Sequence, residues 1–145
     1  MKVYTIGFSR KTAAEFFQAL RRAGIKRVVD VRLNNTSQLA GFTKRGDLTF
    51  FLKELCNAEY THETLLAPTY DLLRLYKREA GDWNEYESRF LALMASRKIE
   101  ERLNPALLDG PTVFLCSEPS AEHCHRRLVL EYLRDRWGPF EIVHL

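Results

Sequence analysis

Cysteine is scarce in this chain: Cys56, Cys116 and Cys124 are the three among 145 residues. An odd, low number builds no disulfide framework, and this fits a reducing, cytoplasmic setting. Long apolar runs are also missing. No stretch approaches the ~20 residues needed to cross a bilayer, so a membrane partner is not expected. The opening MKVYTIG leads directly into a strand-like run and lacks the apolar core and cleavage site of a signal peptide. No internal repeat and no low-complexity linker appears, so a single domain over residues 1–145 is the expectation. Strong charge of one sign is absent too, the net charge being +3. The basic side is nevertheless arginine-heavy, with 15 of 22 basic residues being Arg. Arginine suits planar, bidentate contacts with phosphate or carboxylate.

What is present alternates between two periods. Val3 to Ile6 reads as a buried strand, and GFSR (7–10) turns out of it. Thr12 and Glu15 form a capping box ahead of a helix with Ala13, Phe16, Phe17, Leu20 and Ala23 on one face, stopped by Gly24. Lys26 to Arg32 is the next strand, which makes a βαβ unit with parallel strands and a right-handed crossover. Asp47 is a plausible N-cap for a helix carrying Leu48, Phe51, Leu52 and Leu55, with Cys56 beside its apolar face as a core filler. Residues 59–62 suggest a short strand. Thr69 caps a helix that ends near Gly81, and Asp82 and Glu85 start another bearing Tyr86, Phe90, Leu93 and Met94. A strand at 113–115 feeds a last helix opening at His123 and stopped by Gly138-Pro139, and residues 140–144 close the chain as a strand. The order predicts an α/β fold: a three-layer, Rossmann-like sandwich around a small, mostly parallel twisted sheet of 4–5 strands.

In a parallel sheet all strand exits share one edge. That rule gathers Gly7 to Arg10, Asp30 to Ser37, Cys116 to Arg126, and His144 into one candidate pocket. The densest stretch is TVFLCSEPSAEHCHRR (112–127). There a strand ends at Cys116, a polar loop holds Ser117, Glu118, Pro119 and Ser120, and Cys124, His125, Arg126 and Arg127 follow. Cys116 reads as a nucleophile or as a polar wall, more reactive than Cys56 in the first case. Asp30 or Glu118 with His125 could move protons. Asp30 and Arg32 lie on one side of their strand, either as an ion pair or as a ligand-facing acid and anion grip. The run Asn34, Asn35, Thr36, Ser37 and Gln38 is a surface loop or a substrate-facing lid. Arg126 at a helix start, with Arg32, would hold an anion. Ser9, Asn34, Asn35, Ser37 and Cys124 complete the substrate-binding candidates. A strand-end cysteine followed by a loop and an arginine also parallels sulfurtransferases and cysteine phosphatases, but nine residues separate Cys116 from Arg126, too many for the phosphatase loop. Cys116, His123 and Cys124, or His125 in place of one of them, suit zinc chemically. C-x7-C with adjacent histidines is no standard zinc spacing, so no metal ligand is assigned, and the residues leave the cofactor open.

Several stretches together resemble the family called domain of unknown function 488. They are YTIGFS (4–9), VVDVR (28–32), NNTSQLAGF (34–42), Tyr60 with His62, LAPT (66–69), LLDGPTVFLCSE (107–118) and CHRR (124–127). The resemblance runs through essentially the whole chain and is greatest to the branch with the NNTSQLAGF loop. Ala58 stands where a glycine is often found in the family. The resemblance implies an α/β fold and a shared pocket of Asp30, Arg32, Cys116, Glu118, Cys124, His125 and Arg126. It implies no particular reaction.

Two functional expectations follow. The first is a small cytoplasmic enzyme with a Cys/Glu/His/Arg pocket acting on an anionic, phosphate- or nucleotide-like small molecule. The second is a nucleic-acid-binding or repair-accessory protein without catalysis of its own, suggested by the arginine excess and by Phe42 and Tyr60. Metal handling is a weaker third.

Overall fold

The structure is a computed structural model that describes residues 1–77, 81–118 and 120–145. Five parallel strands form one sheet: β1 (Lys2–Gly7), β2 (Arg27–Asp30), β3 (Glu59–His62), β4 (Thr112–Cys116) and β5 (Glu141–His144). Their spatial order is β3-β2-β4-β1-β5. Six α-helices occur among the described residues: α1 (Ala13–Arg22), α2 (Arg45–Phe51), α3 (Tyr70–Lys77), α4 (Trp83–Arg97), α5 (Ile99–Arg102) and α6 (His125–Trp137). The expected α/β sandwich is the observed one. The sheet is wholly parallel, with β4 inserted between the two strands of the first βαβ unit.

Apolar side chains divide by strand parity. Ile6, Val28, Val113 and Leu115 pack with Phe16, Phe17 and Leu20 of α1, Leu48 of α2, and the π-helical turn Leu52–Cys56 that continues α2. Val3, Val29, Phe114 and Cys116 point to the other face, against Phe90 and Met94 of α4 and Leu128, Val129 and Leu133 of α6. Every residue of β4 is buried, as a central strand covered on both sides must be. Strand register aligns Asp30 with Leu115 and Gly7 with Cys116. Asp30 therefore shares the α1–α2 face with Leu115, while Cys116 looks toward α4 and α6.

Element ends follow their caps. Thr12 and Glu15 form the reciprocal capping box, Gly24 takes a positive φ of 68° just past α1, and Asp82 caps α4 through the Glu85 amide. The Leu72 amide donates to Thr69 Oγ1 at the start of α3. The expected end of that helix near Gly81 falls partly on residues 78–80, outside the described residues. Three boundaries differ from expectation. Helix α2 begins at Arg45 because the Lys44 carbonyl already accepts from the Leu48 amide, so Asp47 sits in the first turn and not at the cap. Helix α6 begins at His125 and not His123, since Cys124 is extended (φ −141°, ψ 139°) and serves as N-cap. Strand β2 stops at Asp30, and Val31 and Arg32 are already past its end.

Candidate functional site

At the end of β4 the chain must pass over β1, and glycine permits it. A Cβ on Gly7 would lie 1.5 Å from the Glu118 carbonyl oxygen and 2.8 Å from Arg126 Nη1. The exits of β1 and β4 run side by side, with the Phe8 and Ser9 amides donating to the Cys116 and Ser117 carbonyls at 3.2 and 3.0 Å. Arg126 Nη1 donates to the Glu118 carbonyl at 2.6 Å, and Arg127 donates through Nε and Nη2 to the Ala121 and Glu122 carbonyls at 3.3 and 3.1 Å. The two arginines of CHRR thus hold the loop between β4 and α6. Pro119 of that loop lies outside the described residues.

Held this way, the loop returns Cys124 and His125 to the end of β4. Ligand-type atoms of Cys116, Cys124 and His125 all lie within 4.8 Å of one another. Cys116 Sγ is 3.5 Å from His125 Nδ1. The other ring nitrogen, Nε2, is 2.7 Å from the Val31 carbonyl oxygen. A carbonyl only accepts, so Nε2 carries a proton; Cys116 Sγ is also 3.8 Å from Nε2, so the sulfur sits beside the ring, roughly level with both nitrogens. Phe90 packs on the same imidazole at 5.3 Å between ring centroids. The Cys116 thiol is lowered from its usual range, chiefly by the Cys124 S–H donating to it. Burial opposes this, and the Ser117 amide and the Arg126 charge assist it. Cys124 is raised by donating that same hydrogen bond and then by burial. The pair is asymmetric, with Cys116 the thiolate-prone member.

This cluster forms the floor of a cavity of about 230 Å³. One side is Arg32, Leu33 and Asn34; another is Pro68 and Leu73; the loop supplies Ser117, Glu118 and His123. The remaining wall is aromatic. Tyr76, Trp83 and Tyr86 face the space, with Trp83 stacked on Tyr86 at 5.2 Å and on His123 at 5.0 Å. Tyr86 continues to Phe90 at 6.1 Å. Sequence reasoning placed Tyr76 with Leu72 and Leu73 on one helix and Tyr86 on the apolar side of the next, and did not name Trp83. The spacing of residues 83, 86 and 90 along one helix face was the available signal.

The remaining candidates divide between the cavity rim and the opposite face of the sheet. Asp30 is fully buried across the sheet, where Arg32 Nε and Nη2 donate to its two oxygens at 2.8 Å each. The Arg32 amide, Asn35 Nδ2 and the Tyr60 hydroxyl also donate to it. Burial pushes the Asp30 carboxyl up, but the Arg32 hydrogen bonds and charge, with Tyr60, hold it below the usual range. Tyr60 is raised by burial and by that bond. Arg32 also donates to Thr43 Oγ1 and to the Thr43 carbonyl, at 3.1 and 2.8 Å. Its guanidinium borders the cavity with most donors already committed. Asn35 is buried in this network, Asn34 lines the cavity, and Ser37 is exposed, with its carbonyl accepting from the Ala40 amide. The polar run after β2 is thus pinned to the α1–α2 face by Asn35 and Thr43. Neither Ser9, Asn35, Ser37 nor Arg126 lines the cavity. Arg126 is 1% exposed, and its Nε is the buried side-chain nitrogen without a partner among the described residues.

The family model described as "domain of unknown function DUF488" matches residues 12–133. The chain belongs to the DUF488 family. The match spans the Asp30–Arg32 network, the aromatic wall and the whole Cys116–His125 segment of this DUF488 member. No curated protein and no solved structure matches the chain. Among the described residues, no helix is long and apolar enough to cross a membrane.

Proposed function

We propose that this DUF488 chain is an enzyme acting on a small molecule with an apolar, ring-like body. Its reaction centre is the Cys116–Cys124–His125 cluster, and Glu118 of the cavity lining is the proton carrier. One observation carries the reading: two thiols and an imidazole, each at most 6% exposed, converge on the floor of an aromatic-walled cavity. At about 230 Å³ the space lies below the ~300–1,000 Å³ of pockets for drug-sized ligands, so the substrate is small, or inserts one ring and leaves the rest outside.

The charge grip differs from the anion site expected from Arg32 and Arg126. Arg32 is neutralised by Asp30 and Arg126 is turned to the loop, so the support is for a neutral or weakly charged group in the cavity. A nucleic-acid role draws less support. Phe42 packs against Phe16 and Phe17, and the Tyr60 hydroxyl bonds Asp30 and Asn35, so both rings are tied into the body of the protein.

The test is a panel of small ring-containing compounds, followed by Trp fluorescence and thermal shift. Hits should bind the wild-type chain and be lost in Leu73→Trp, which fills the cavity. Absence of any hit, or hits that Leu73→Trp leaves intact, would remove the reading.

A further inference from the structure

We propose that Cys116, Cys124 and His125 bind one zinc ion, with its fourth coordination position open to the cavity. This rests on the reading of the cavity as a reaction centre and names the cofactor that centre would use.

The distances suit the ion. Zn–S of ~2.3 Å and Zn–N of ~2.0 Å in a tetrahedron set sulfur and nitrogen ligands roughly 3.5 Å apart and two sulfurs roughly 3.8 Å apart. Cys116 Sγ and His125 Nδ1 are 3.5 Å apart, and all three ligand atoms fall within 4.8 Å of one another. Cys116 Sγ also lies 3.8 Å from Nε2, so coordination through Nδ1 requires the His125 ring to turn that nitrogen toward the ion, while the two thiols are already gathered around the same point. The donor set of two sulfurs and one imidazole is the chemistry zinc prefers, and excludes magnesium and calcium, which take oxygen ligands.

The tautomer that makes Nδ1 the ligand atom is already set. Ligating histidines fix their tautomer by donating the second ring N–H to a carbonyl or carboxylate. His125 does this toward the Val31 carbonyl at 2.7 Å. Val31 follows β2, so the strand next to β4 holds the ring that β4 needs.

The ligand number points to reactivity. Structural zinc sites close with four protein ligands, whereas catalytic sites use three and leave a place for water or substrate. Among the described residues no fourth Cys, His, Asp or Glu joins the group. His123, a ligand candidate by sequence, is exposed and stacked on Trp83, outside it. Cys116, Cys124 and His125 all line the cavity, so the open position faces the space a substrate enters. The C-x7-C spacing hides this site because its ligands come from a strand end and a helix start, with a loop between them.

The test uses the full chain, reduced and stripped by chelator, then loaded with Zn2+ or Co2+. One ion should bind per chain. The cobalt form should show the visible bands of a tetrahedral ion with sulfur-to-cobalt charge transfer. X-ray absorption of the zinc form should give two sulfur and two lighter ligands. Cys116→Ser, Cys124→Ser and His125→Ala should each weaken zinc by at least the ~10–100-fold seen when a ligand merely loses its hydrogen-bond partner, and Cys56→Ser should not. The wild-type spectra need no variant to fold. An octahedral cobalt spectrum, a zinc shell without sulfur, or no binding by the reduced chain overturns the proposal. Leu73→Trp should keep the zinc. Loss of metal with cavity ligands intact sinks this inference alone, and metal without any cavity ligand sinks the enzyme reading alone.

Discussion

Two buried polar clusters sit at neighbouring strand ends of one sheet, and they differ in what is left over. Around Asp30, every acceptor and most donors are used: Arg32, Asn35, Tyr60 and Thr43 close the network on the α1–α2 face. Around Cys116, across the sheet, the sulfurs and the imidazole hold one another and the Val31 carbonyl but also line a cavity. The first cluster holds the loop after β2 to the body of the protein. The second is placed to meet something from outside. Burial is common to both, so it does not mark the reactive one; ligand-type atoms lining open space do.

The largest effect that could break this comparison is Asp30→Ala. It leaves the Arg32 guanidinium, 3% exposed, without its counter-ion, and should cost ~3–5 kcal/mol in urea unfolding. Replacing both partners, Asp30→Leu with Arg32→Met, should recover much of that loss, because no lone charge is then buried. A cost for the single change below that of an ordinary surface substitution would place Asp30 outside the structural class. Gly7→Ala comes next. Its Cβ meets the backbone of Glu118, which must shift, for ~1–3 kcal/mol measured by thermal unfolding, with weaker cavity binding as the loop moves.

The pH dependence sharpens the contrast. The Asp30 carboxyl is held below its unfolded value near ~4, so its contribution is complete above that pH. The contribution is then lost as pH falls through the lower, folded value. Asp30→Asn should flatten the acid limb of the stability curve while leaving the shape above neutrality unchanged. An equally steep acid limb in the variant would transfer the effect to other carboxyls. Tyr60→Phe removes one hydrogen bond from the same network and should cost ~0.5–1.5 kcal/mol in urea unfolding. Smallest in stability should be Cys116→Ser, which keeps shape and a hydrogen-bonding atom; circular dichroism should be unchanged. In the metal-free protein Cys116 should also alkylate before Cys56, since one lines a cavity and the other the α1–α2 core. Equal, slow labelling of both would put the Cys116 cluster in the same closed class as the Asp30 one.

Much of the architecture was legible residue by residue. The T-x-x-E box, the apolar face of α1, the continuous apolar run of β4 and the short β3 at 59–62 all stand where their patterns put them. Local chemistry determines these features, because capping, helical periodicity and strand burial act within a few residues. The convergence of Cys116, Cys124 and His125 was foreseen as a set of residues sharing one edge. The aromatic wall was less visible, since Trp83, Tyr86 and Phe90 read as an ordinary core stripe until a cavity is found beside them.

The sequence by itself determined which residues end the strands and hence which reach the rim of the sheet. Only the tertiary structure decided on which side of the sheet each of them works. Alternation within β2 puts Asp30 and Val29 on opposite faces, but it cannot say which face meets α6. That depends on β4 inserting beside β2 with Asp30 level with Leu115, a pairing between segments 85 positions apart. Side-chain direction has a period of two, so a shift of one residue in that register would have moved Asp30 to the side of the thiols.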